Sequence, residues 1–353
     1  MKKLLSTIGL LSLGFLIYLP STGQSQDIGL SGRMYTGYFY NTHSNDNAFY
    51  VDRVYLGYKG ALSSSVNFQV TSDIASPDSS DTYELMMKYA FINWMQGDNA
   101  HLNLGIIPMN AFDVQKRTWG FRYLRKTIMN DNKFAPSADV GVSYDLQLSK
   151  KFSLSAAISN GGGYKKAETD QFKRVHLRFL YGPSNLGKAH GMNIGAYSSF
   201  EKNTNYTPTV DNNTVAMDTT EQNQYTFAGF TGLHVNEFWV GTEMAYQMFA
   251  DSDWQHLLYS LYTRMEVGEN GLAFVRIDYS DEKVLTTEVI GESGPNATNT
   301  LGVTDNHVIE KILIAGVEFA PVKGIKVAPH FVYSLNDDSE DNLELRMGTE
   351  FRW

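Results

Sequence analysis

The residues with the clearest capacity for chemistry are basic, and many of them are gathered in one stretch. Between Pro108 and Pro136 the chain reads PMNAFDVQKRTWGFRYLRKTIMNDNKFAP, which sets Lys116, Arg117, Arg122, Arg125, Lys126 and Lys133 against Asp113 and Asp131. Six cations and two acids leave a local charge of +4, in a chain whose formal net charge is −9. Guanidinium groups match phosphate and carboxylate oxygens with paired hydrogen bonds, and ammonium groups add compact point charges. Held in a narrow passage with low-dielectric walls, such groups are poorly screened and draw small anions. The expectation is a constriction formed by the 108–137 loop, with Lys116, Arg117, Arg122, Arg125 and Lys126 at the solute. The interleaved Trp119, Phe121, Tyr123, Leu124 and Ile128 are too apolar for a loop that waves in water.

Other chemistries find less support. The eight histidines (His43, His101, His176, His190, His234, His256, His307, His330) are scattered, with no HExxH and no close pair at ligand spacing. No GxSxG elbow or phosphate-binding glycine loop occurs, and Gly161-Gly162-Gly163 reads as a loop hinge. No catalytic residue, metal or cofactor is expected, although a Ser/His hydrolase on the wall stands as an alternative. Three acidic clusters, Asn45-Asp46-Asn47, Asp211-Asn212-Asn213 and Asp337-Asp338 with Glu340-Asp341, could bridge Ca²⁺ or Mg²⁺ to lipid phosphates or be plain solvated loop tips. The absence of Cys removes both a disulfide framework and lipoprotein processing.

The elements that must position the basic stretch repeat with a period of two. Val54, Leu56 and Tyr58 face one way and Arg53, Gly57 and Lys59 the other; Leu85, Met87, Tyr89 and Phe91 alternate with Glu84 and Lys88. The pattern resumes at Val140 with Val142 and Tyr144, at Val175 with Leu177 and Phe179 against Arg174, His176 and Arg178, and at Val275 with Ile277 and Tyr279 against Arg276 and Asp278. About sixteen such runs fill the chain. Their connections alternate between short ones, such as Gly268-Glu269-Asn270-Gly271, and long ones at 108–137, 160–172, 203–222 and 281–306. That sorting predicts an all-β, antiparallel transmembrane barrel with short periplasmic turns and long extracellular loops. Aromatic residues at 13%, 30 Gly and 9 Pro suit a barrel wall with interfacial aromatics.

The start of the chain reads as a secretory signal over residues 1–25: Lys2 and Lys3, an apolar run from Leu4 to Leu19, then small and polar residues with plausible cuts after Gly23 or Ser25. Residues 26–353 would form the barrel. Loss of Lys2 and Lys3 takes the net charge from −9 to −11, so any anion preference must come from where charges sit. The last run, LELRMGTEFRW, places Leu343, Leu345, Met347, Thr349, Phe351 and Trp353 on one face.

The stretches GRMYTGYFYN, VDRVYLGYKGALSSSVNFQVTSDIA, ELMMKYAFINW followed by LGIIPM, WGFRYLRKTIMNDNKFAPSADVGVSY and NGGGYKK, in that order, resemble the phosphate-selective porin O and P family along most of the chain. The resemblance implies a sixteen-stranded anion-conducting barrel, usually trimeric, in the outer membrane of a Gram-negative bacterium. It further implies a ladder of pore-lining cations, for which Arg33, Arg53, Lys59, Arg174, Arg178, Arg264, Arg276, Lys326 and Arg346 are the lumen-facing candidates. Inward acids (Asp73, Glu84, Glu243, Glu266, Asp278, Glu344 and Glu350) accompany them, so Arg and Glu on neighbouring strands could instead pair and stiffen the wall. Phe351 and Trp353 are the implied signal to the barrel-assembly machinery. The expected partners are small anions such as phosphate, outer-membrane lipid and two further copies of the chain, with no nucleic acid. The rivals to a porin are a barrel hydrolase and a plugged structural or surface-binding barrel.

Overall fold

A computed structural model describes residues 29–353 apart from 77–81, 169, 212–213, 251–252, 291–299 and 337–338. The signal segment and the centres of two acidic clusters, at 212–213 and 337–338, lie outside the described residues. Sixteen strands follow one another: β1 (Gly29–Asn41), β2 (Asn47–Ala61), β3 (Val66–Ala75), β4 (Glu84–Met95), β5 (Ala100–Pro108), β6 (Ala138–Gln147), β7 (Phe152–Ser159), β8 (Arg174–Tyr181), β9 (Gly191–Asp211), β10 (Thr214–Val235), β11 (Phe238–Phe249), β12 (Gln255–Val267), β13 (Gly271–Ile290), β14 (Thr300–Val322), β15 (Ile325–Asn336) and β16 (Ser339–Arg352). Each pairs antiparallel with its neighbours in sequence, and β1 pairs with β16 to close the barrel.

The period of two becomes an inside and an outside. Leu30, Phe49, Leu104, Ile158, Phe179, Met244, Ile277 and Met347 stand exposed on the outer face, while Arg53, Asp73, Asp139, Arg174, Glu243, Arg276 and Glu350 are buried on the inner one. Such an apolar exterior far exceeds the few hundred Å² that soluble monomers show, and lipid is the medium that accepts it. Closure leaves no unpaired strand edge, which the hydrocarbon demands. No helix among the described residues is long and apolar enough to cross a membrane.

Three features depart from the sequence expectations. First, the ladder between β3 and β4 steps from Thr71↔Tyr89 to Ser72↔Met87, leaving Lys88 as an extra residue. This bulge reverses the phase of β4. Leu85 and Met87 face out, but Ile92 and Trp94 take over the outer face beyond the bulge, and Tyr89 and Phe91 border the inner chambers. Second, the expected long loops at 203–222 and 281–306 are mostly strand, because β9–β10 and β13–β14 continue as paired hairpins to Asp211↔Thr214 and Ile290↔Thr300. Third, the inner face is not uniformly polar. From β10 to β15 it carries Phe230, Trp239, Ala245, Leu258, Tyr262, Phe274, Ile312, Ile314, Ala328 and Val332, all buried. All but Trp239, which meets the 182–190 connection, are covered by the segment between β5 and β6.

Candidate functional site: the lumen constriction

Residues 109–137 fold inward from the end of β5 and carry two short helices, α1 (Asp113–Trp119) and α2 (Ile128–Asp131). Gly120 ends α1 in the left-handed region at φ 81°, and its N–H donates to Lys116 O at 3.0 Å. A side chain here would strain the backbone and overlap the Arg264 guanidinium. Past Gly120, Phe121 and Tyr123 join Trp119 against Tyr35, Tyr262, Phe274, Ile312, Ile314, Ala328 and Val332. The start and the second half of the segment together seat Ala111, Phe112, Ile128, Met129, Phe134 and Ala135 against Tyr197, Ala228, Ala245 and Leu258. Each large side chain buried in this way stabilises docking by about 1.5–3 kcal/mol.

Wall side chains complete the anchorage by capturing loop carbonyls. Arg276 Nη1 donates to Lys126 O at 2.6 Å, Arg174 Nη1 to Phe134 O at 3.3 Å, Arg178 Nη1 to Asn110 O at 3.3 Å and Gln247 Nε2 to Phe134 O at 3.3 Å. Loop side chains answer: Tyr123 Oη donates to Glu318 at 2.8 Å and Asn110 Nδ2 to Ser155 Oγ at 2.5 Å. Arg174 is also ion-paired with Glu201, and Arg276 with Asp278 at 2.7 Å. The ladder expectation is therefore revised for Arg174 and Arg276. Both sit on the inner face, but the loop covers them, and Arg276 is 0% exposed.

The remaining expected cations fall into several groups. Arg33, Lys59 and Arg264 border a chamber of ≈720 Å³ between the loop and β1–β4, together with Lys116, Arg117 and Arg122 from the loop. Lys88, Lys188 and Arg352, which sequence reasoning did not single out, border it too. Among the described residues, nine cations thus border this chamber, with Glu350 the single acid. A second chamber of ≈1040 Å³, sharing Lys59, Gln69 and Arg117 with the first, is balanced: Lys59, Arg117 and Arg178 against Asp98, Asp113 and Asp145. Lys326 of β15 is instead paired with Glu318 of the neighbouring β14 at 2.7 Å, the wall-stiffening arrangement, while Arg346 pairs along its own strand with Glu344 at 2.6 Å. Phe351 and Trp353 lie on the outer face in register with Met34 and Gly32.

Not all of the charge is free. Lys116 pairs with Asp113 at 2.6 Å, Arg117 also pairs with Asp113, and Arg125 pairs with Asp131 at 2.8 Å. Arg33 and Arg352 share Glu350 at 3.4 and 2.9 Å. Arg122 and Lys59 have no ion-pair partner among the described residues. Burial holds the Lys126 ammonium below its usual range, with Asp131 opposing. Burial would raise the Asp113 carboxyl, but Lys116 and Arg117 outweigh it and hold it below the usual carboxylate range. A depressed carboxyl stabilises above its unfolded value of about 3.9, and that contribution is lost as pH falls through the lower folded value. Reversal potentials in KCl should accordingly be flat from pH 7 to 5 and change only below about pH 4; a shift above pH 5 would count against the Asp113 clamp.

Opposite the loop lies a cluster with little signature in the sequence. The Lys88 bulge and a second one, which leaves Asp52 outside the β1–β2 ladder, bring Arg53 and Lys88 together over β3. Tyr55 Oη accepts from Arg53 at 3.0 Å and from Lys88 at 3.2 Å. Asp73, 0% exposed, receives Arg53 at 3.5 Å, lies 3.7 Å from Lys88 Nζ, and takes a hydrogen bond from Tyr164 Oη at 2.5 Å. Burial and the adjacent Asp73 push the Tyr164 phenol well up, so it remains a donor. The Lys88 ammonium lies over the rings of Tyr55 and Tyr164 at 4.8 and 4.9 Å. Tyr164 belongs to the 160–172 connection, so that loop too enters the lumen.

A closed sixteen-stranded barrel with an apolar exterior, a folded-in third loop and charged chambers within defines an outer-membrane porin. The sequence matches the phosphate-selective porin O and P family over residues 29–247, more than half its length, and the chain belongs to that family. Among solved structures it is similar to the outer-membrane protein OmpT of Vibrio cholerae, with TM-score 0.65 and 10% identity over 94% of this chain and 99% of that one. It is also similar to the outer-membrane channel DcaP of Acinetobacter baumannii, with TM-score 0.62 and 11% identity over 95% and 100%. An anion-selective porin from Comamonas acidovorans aligns with TM-score 0.59 and 12% identity over 93% and 100%. At these identities the likeness is one of fold. Comparison with curated protein sequences returns no match.

Proposed function

We propose that this porin passes small hydrophilic anions, phosphate or similar, by passive diffusion. The observation that carries the reading is the passage beside the constriction, where nine cations meet one acid. In a water-filled slot walled by protein, that imbalance lowers the barrier for anions even though the chain as a whole is acidic. Lys116, Arg117 and Arg122 contribute from the loop, Arg33, Lys59 and Arg264 from the wall. Arg125, paired with Asp131, and Lys126, whose carbonyl Arg276 holds, border neither chamber, and Arg53 acts indirectly by holding Tyr55 and Asp73. Phosphate suits the arginines because each offers a two-pronged donor fork. One structure of Vibrio cholerae OmpT, at 10% identity, is of a trimer form, and we assign this chain a homotrimeric assembly embedded in outer-membrane lipid. Outward-facing Phe351 and Trp353 are the surface offered to the assembly machinery.

The function is transport and not catalysis. A Ser/His pair does occur on the wall, with Ser159 Oγ 3.1 Å from His176 Nε2 and Tyr197 Oη 2.8 Å from Nδ1. Both Ser159 and His176 are 1% exposed, which leaves no opening for a substrate carbonyl. The test of the reading is reversal potential in a KCl gradient across a planar bilayer, with and without added phosphate. Anion preference and a phosphate-dependent drop in chloride current are expected; cation preference would overturn the anion bias.

A further inference from the structure

The connection between β8 and β9, residues 182–190, emerges on the short-turn side and then folds up into the barrel. Leu186 is 0% exposed. Its side chain meets Gly232 of β10, where an added Cβ would lie 2.7 Å from Leu186 Cδ1 and 3.2 Å from Thr118 Cγ2 of α1. Bare backbone at Gly232 is therefore what lets the leucine seat beneath the helix.

The backbone of this turn is held by side chains. Pro183 O accepts from Asn193 Nδ2 at 2.9 Å, Leu186 O from Trp239 Nε1 at 2.8 Å and Ala189 O from His234 Nδ1 at 2.9 Å. Those donors belong to β9, β11 and β10. The fourth, Arg117 Nη1, donates to Ser184 O at 3.2 Å and belongs to the constriction. Residues 185–189 close one helical turn, with Lys188 N and Ala189 N donating to Asn185 O at 3.2 and 3.1 Å. That turn puts exposed Lys188 on the border of the basic passage. A solvent-facing turn would leave its carbonyls to water; here four are taken by side chains from three strands and the loop.

We propose that the 182–190 turn is the footing of the constriction, a positioning element that supports α1 and Arg117 from the periplasmic side, and that Lys188 is a specificity-determining residue at that end of the anion path. This rests on the porin reading above. The footing links the two ends of the pore physically. Loosening the turn releases the lower end of α1, and changing the charge at 188 alters the anion path without touching the loop.

The absence of cysteine supplies the test, because Lys188→Cys introduces a unique thiol. In planar bilayers, the anionic sulfonatoethyl methanethiosulfonate reagent should modify Lys188→Cys faster from the chamber opposite to the one that favours a Lys166→Cys control on the outer loop. Modification should lower the chloride current by about twofold, whereas the cationic aminoethyl reagent, applied instead to unreacted Lys188→Cys, should raise it. Leu186→Ser, with Lys188 intact, should raise conductance and open-channel noise. A thiol that reacts without changing current or selectivity overturns the role of Lys188, and an unchanged Leu186→Ser channel overturns the footing. If Leu186→Ser does not assemble, the Trp239→Phe variant removes one of the four hydrogen bonds and should raise open-channel noise. Unmodified protein that conducts normally while all these variants are indifferent defeats this proposal alone; unmodified protein that does not conduct defeats the porin reading with it.

Discussion

Replacing Lys116, Arg117 and Arg122 together with glutamine moves the reversal potential of the channel by tens of millivolts toward the cation side. A tenfold KCl gradient sets the ideal limits at about ±59 mV, so the shift is large against measurement. The size follows from geometry. A charge about 8 Å from a passing ion, in an effective dielectric near 40, contributes about 1 kcal/mol, and three such charges contribute about 3 kcal/mol. That is a tenfold or greater change in anion permeability, since about 1.4 kcal/mol is one decade. Removing them also exposes the carboxylate of Asp113, which pairs with two of the three. The control is the same number of cations in short turns, Lys150, Lys151 and Lys323, all exposed. Equal shifts from the two triples would mean that the loop does not control the path. Arg125 is left out of the first triple because it does not border the basic chamber and is held by Asp131 at 2.8 Å.

Unseating the constriction has the second large effect. Trp119→Ala combined with Phe121→Ala is expected to raise single-channel conductance several-fold while the wall remains assembled. Trp119 packs edge-on against Tyr262 and Phe274 with ring centroids 5.7 and 5.9 Å apart, and Phe121 lies 4.3 Å from Phe274. Truncating either costs about 3–5 kcal/mol, and because the two rings touch, the pair costs less than the sum. What remains is the set of carbonyl clamps from Arg174, Arg178, Arg276 and Gln247, which hold the second half of the loop more than the first. The double variant should therefore show a noisy, enlarged channel with unchanged far-ultraviolet circular dichroism. Conductance equal to that of the unmodified protein would remove the loop from the conduction path.

How much of this could be read from the sequence follows from the range of each interaction. The strand array was legible because lipid outside and water inside impose a period of two on local sequence, and the alternation of short and long connections gave the sidedness. The segment that folds inward was legible as an exception because a basic, aromatic-rich insertion interrupted that period. The β4 bulge was not, since nothing distinguishes Lys88 in ELMMKYAF from an ordinary inward residue; its displacement shows only in the pairing of Thr71 with Tyr89. The docking face on β10–β15 was equally hidden. Phe274 and Ile312 occupy inward positions that look out of place until the loop that covers them is known. For the same reason Arg174 and Arg276 read as pore cations, when each spends its donors on a carboxylate and a loop carbonyl. The 182–190 turn, with its Pro and Gly, carried no sign of folding inward.

The aromatic cluster under the loop also bears on the order of assembly. It joins Tyr35 of β1 to Tyr262, Phe274, Ile312, Ala328 and Val332 of β12–β15, so it spans the seam where the first and last strands meet. Those residues stand together only after β1 has found β16, the pairing with the greatest separation along the chain and hence the greatest loop-closure entropy. The constriction is thus a late-forming internal brace. It consolidates once the cylinder is shut, and from then on any reopening of the seam must first break its packing, which gives the finished barrel a slow route back to the unfolded chain.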